Sequence, residues 1–162
     1  MERPWLKSYQ QGVKDQVDIN AFNSVAEVFE QSVQNYAELP AFSNMGATLT
    51  FQQMGELTTA LAAYLQSLPG MQKGDRVAVM MPNVLQNPIA IFAILKAGFT
   101  VVNVNPLYTA RELRHQLKDS GAKVIIVVDN FCQTLQQAML AECIDLKCHR
   151  RLIRPLDLLV FK

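Results

Sequence analysis

The stretch RVAVMMPNVLQNPIAIFAILKAGFTVVNVNPLYTARELRHQLKDSGAKVIIVV, residues 76–128, decides the fold class. It opens, divides and closes on short apolar runs: Arg76–Met81, Thr100–Val104 and Val124–Val128. Runs of five or six residues, partly β-branched and bounded by turn residues, read as strands buried on both faces. Between them lie two helical patterns, about Val84 to Ala97 and Ala110 to Ser120, each closed by a glycine, Gly98 and Gly121. A residue just past a helix end often takes left-handed backbone, which glycine adopts without a steric cost. Alternating strand and helix with apolar strands predicts an α/β fold: a parallel sheet covered by helices.

Upstream, residues Val25–Tyr36 carry Val25, Val28, Phe29, Val33 and Tyr36 at helical spacing, and Leu39-Pro40 ends that pattern. A hairpin-like segment centred on Met45-Gly46 follows. A second helix spans about Phe51 to Leu68, with Met54, Leu57, Leu61, Tyr64, Leu65 and Leu68 on one stripe, and Pro69-Gly70 closes it. Lys73-Gly74-Asp75 is a turn into the first buried strand. Helix starts are marked by an N-cap side chain with a partner three residues on: Ser24/Glu27, Thr50/Gln53, Asn83/Gln86, Thr109/Glu112 and Asn130/Gln133. Each pair satisfies backbone N–H groups that the first helical turn leaves free.

The chain has 162 residues, half of them hydrophobic, and a net charge of +1. That charge gives no field to draw nucleic acid. The N-terminal ten residues carry Glu2, Arg3 and Lys7 and no apolar core of a signal peptide, and no apolar run approaches the length of a membrane helix. A cytoplasmic location is expected, with contact at the inner membrane surface as the alternative.

Cys132, Cys143 and Cys148 form no paired motif, and Cys143, Cys148 and His149 match no zinc spacing. Unpaired thiols are the expectation. His115, between Arg114 and Gln116 in a helical pattern, reads as a solvated or locally bonded side chain and not as a catalytic base. No GxxxxGK[ST], GxGxxG, GxSxG or HExxH occurs. Asp75, Glu112 and Asp119 read as turn, capping and last-turn residues. No catalytic, cofactor-binding or metal-ligating residue is therefore assigned.

Four ordered stretches carry a family resemblance. Leu49-Thr50-Phe51 with Glu56-Leu57 resembles an LTYxEL motif, and Lys73 to Asn83 resembles KGDRVAxxxPN. Leu95-Lys96-Ala97-Gly98 with Asn103-Val104-Asn105-Pro106 resembles LKAGxxxVPxNP, and Thr109 to Lys123 resembles the helix and turn that follow. In this order they resemble the opening of the acyl-adenylate-forming synthetases. Trp5 to Tyr9, Pro40-Ala41-Phe42, Asn44-Met45-Gly46 and Asn103 to Thr109 are similar to the bacterial long-chain fatty acyl-CoA synthetases in particular, although that group tends to have proline where this chain has Gln10 and Lys14.

The resemblance implies a ligase that joins fatty acid to coenzyme A with Mg-ATP, through an acyl-adenylate and with release of AMP and pyrophosphate. The partners implied for the full-length family are fatty acid, ATP and CoA; peripheral membrane contact and a homodimer stay open. The family's phosphate loop, ribose-binding Asp and C-terminal lysine have no counterpart in these residues, so no cofactor is expected to be held here and the chain reads as truncated and inactive alone. Three parts are expected: an N-terminal lead (1–21), a partial N-terminal domain of an AMP-forming ligase (22–141) and a divergent tail (142–162), read as frame-shifted or structureless. From Asp145 to Lys162 that tail has five basic and two acidic residues, with Pro155 interrupting any amphipathic helix. Alternative readings are a partner-binding fragment, a non-catalytic remnant, or a ligase for medium-chain or aryl acids.

Overall fold

The computed structural model describes residues 3–140 and 147–148. Elements follow in the order α1 (Val25–Asn35), β1 (Pro40–Asn44), β2 (Ala47–Thr50), α2 (Phe51–Ser67), β3 (Arg76–Met80), α3 (Gln86–Lys96), β4 (Thr100–Val104), α4 (Ala110–Ser120), β5 (Val124–Val127), α5 (Cys132–Leu140) and β6 (Lys147–Cys148). β1 and β2 form an antiparallel hairpin. The other strands form one parallel sheet in the order β4-β3-β5-β6. The expected α/β class and its three central strands are what the structure shows. In the described residues of the lead there is one 3-10 helix, Pro4–Ser8, and nothing is buried. The tail expectation lies outside the described residues, apart from the two of β6.

Strand alternation builds two cores from one sheet. Val77, Val79, Val124 and Ile126 face one side, where they meet Phe29, Met54, Leu61, Leu65, Ile89 and Ile94 of α1, α2 and α3. Ala78, Met80, Ile125 and Val127 face the other, against Leu113, Leu117, Leu135 and Ala138 of α4 and α5. β3 and β5 are buried almost throughout. β4 is not: Val101 and Val102 are half-buried and Thr100 and Asn103 exposed, because β4 ends the sheet and pairs with β3 alone.

The capping pairs divide. Thr50/Gln53 and Thr109/Glu112 form full reciprocal boxes. Ser24 Oγ accepts from the N–H of Glu27, but the Glu27 carboxylate accepts from Asn23 instead of from Ser24. Asn83/Gln86 does not cap: α3 starts at Gln86, two residues later than expected. Pro88 is the reason. In a helix begun at Val84 it would be the fifth residue, where an N–H is required and the ring meets the carbonyl four residues back. With Gln86 first, Pro88 is third, among positions whose N–H has no intrahelical partner. Asn130 does not cap either, since it sits inside a 3-10 turn at Asp129–Phe131 that leads into α5.

Gly98 ends α3 as expected, at φ +84°. Its N–H donates to Leu95 O at 3.1 Å and that of Phe99 to Ile94 O at 3.0 Å, the paired bonds of a Schellman ending. The Met45-Gly46 turn has both residues at positive φ, +49° and +82°, the backbone of a two-residue hairpin loop. α1 departs from expectation in burial. Only Phe29 of its stripe is fully buried; Val25, Val28 and Tyr36 are exposed.

Candidate functional site

In an open parallel sheet, ligands bind beyond the carboxyl ends of the strands, where the chain reverses its direction of travel across the sheet. Here the chain leaves β3 for β4 on one side and returns to β5 on the other, which places that point at the ends of β3 and β5. The adjoining cleft, about 440 Å³, lies between the β1–β2 hairpin and the start of α3. Phe42, Val84, Leu85, Pro88, Ile91 and Phe92 form its apolar wall.

Several of its polar groups are engaged within the fold. Ser43 Oγ and Thr48 Oγ1 are 2.7 Å apart across the hairpin. Asn44 Nδ2 donates to Asn83 O at 3.0 Å, tying the hairpin to the loop after β3. Asn87 Nδ2 donates to the carbonyls of Met81 and Pro82 and folds that loop back on α3. The cleft presents an apolar surface with no acid or base on its wall.

The carboxylates with displaced titration lie elsewhere, and each has a local cause. The Lys123 ammonium, 2.8 Å from the Asp75 carboxylate, and the backbone N–H of Gln72 hold Asp75 below its ordinary value. The N–H of Thr109 does the same for Glu112, and that of Asn23 for Glu27. A proton-transfer group working near neutrality needs a carboxylate raised towards 7. These three are lowered and act as turn and cap anions.

His115 is exposed on the outer surface of α4, in an open cleft of about 850 Å³ lined by Tyr108, Thr109, Arg111, Glu112, His115, Gln116 and Asp119. Cys132 is half-buried, its thiol 4.0 Å from Val128 O. The metal cluster considered at Cys143, Cys148 and His149 lies outside the residues whose side chains are described. Among the described residues no three His, Cys, Asp or Glu side chains converge. Two buried polar atoms had no sequence signal: Thr58 Oγ1 in the core and Gln116 Oε1 beside β4, both without a hydrogen-bond partner among the described residues.

With this geometry in place, the profile of the AMP-binding enzyme family matches residues 29–159. The chain belongs to that family. The match continues past residue 141, into the stretch that none of the quoted motifs reached. A long-chain-fatty-acid–CoA ligase of Yersinia pestis is 54% identical over 139 residues, 86% of this chain and 25% of the relative. The enzyme of the same description from Escherichia coli O6:H1 is 52% identical over the same shares. The chain thus spans about a quarter of the length of the curated relatives it matches. Among solved structures, a luciferase-like enzyme from the mealworm Zophobas morio superposes with a TM-score of 0.76 at 20% identity, over 83% of this chain and 32% of that one. At that identity the likeness is one of fold.

Proposed function

We infer that the chain forms the opening part of the large domain of a long-chain fatty acid–CoA ligase. The identity of 54% to the Yersinia pestis ligase over 86% of the chain carries this reading. In the whole enzyme the reaction joins fatty acid to CoA, with ATP converted to AMP and pyrophosphate. Adenylation turns a poorly electrophilic carboxylate into an acyl donor with a good leaving group. Mg²⁺ and a lysine would neutralise the separating phosphates. Those groups are assigned to the remainder of the ligase and none to residues 22–141. The proposed location is the cytoplasm; peripheral membrane contact and homodimer formation belong to the whole enzyme in this reading.

Two measurements test it. The purified 162-residue chain is expected to show no oleate-dependent ATP–pyrophosphate exchange above background. A chimera in which this segment replaces the matching 139 residues of the Escherichia coli relative is expected to retain exchange. A chimera that folds yet has lost all exchange contradicts the assignment, and so does clear exchange by the chain alone.

A further inference from the structure

We draw no further inference here: the strongest candidate, the apolar cleft between the β1–β2 hairpin and the start of α3, carries nothing, because nothing in the structure shows what covers it.

Discussion

At the residue scale, the structure separates positions where the local chemistry fits from positions where it is forced. Met45 holds φ +49° and is 83% exposed, so it bears left-handed backbone with little packing in return. Met45→Asn is expected to raise stability by up to about 1 kcal/mol, seen as a higher thermal midpoint, because asparagine tolerates that backbone and favours two-residue turns. Asp75 sets a pH dependence. Its folded pKa is depressed by Lys123 and the Gln72 N–H, so the stability it contributes is present above the unfolded carboxylate pKa and is lost as pH falls through the lower folded value. Stability should be level near neutrality and fall below about pH 4, and Asp75→Asn should flatten part of that decline in acid-unfolding curves. Asn83 illustrates a legible residue with a misleading reading. Its spacing to Gln86 is that of a cap, yet its described role is to offer a carbonyl to Asn44, because Pro88 moved the helix start.

At the element scale, the packing of α1 on α2 depends on one missing side chain. A Cβ on Gly55 would sit 2.8 Å from Val33 Cγ1, and valine is stiff about χ1. Gly55→Ala is therefore expected to push α1 away and to cost about 1–3 kcal/mol by denaturant titration, despite the better helix propensity of alanine. The type of each element from α1 to β5 was legible because each signal is local. Thr50/Gln53 and Thr109/Glu112 act within one helical turn, and Gly98 within its own ending. The burial of each element was not legible. Val25 and Val28 of α1 and Val101 and Val102 of β4 carry the same apolar pattern as their neighbours, and only their place in the assembly leaves them open or half-open.

At the scale of the whole molecule, two cores share one sheet. Leu65 belongs to the core of α1–α3, Leu117 to that of α4 and α5, and β3 and β5 contribute alternate residues to both. The two halves should therefore unfold together. Leu65→Ala and Leu117→Ala are each expected to lower a single cooperative transition, by about 2–5 kcal/mol; two separated transitions in either variant would contradict a shared core. The sequence by itself determined the α/β class, the parallel strands, the helix endings and the family, since these follow from short-range periodicity, caps and ordered motifs. The tertiary structure alone decided that β4 is the edge, that the helix after β3 starts at Gln86, and that an apolar cleft lies at the end of β3. Strand order, and with it the burial of each strand, comes from contacts between residues distant along the chain, whose energies no local pattern records.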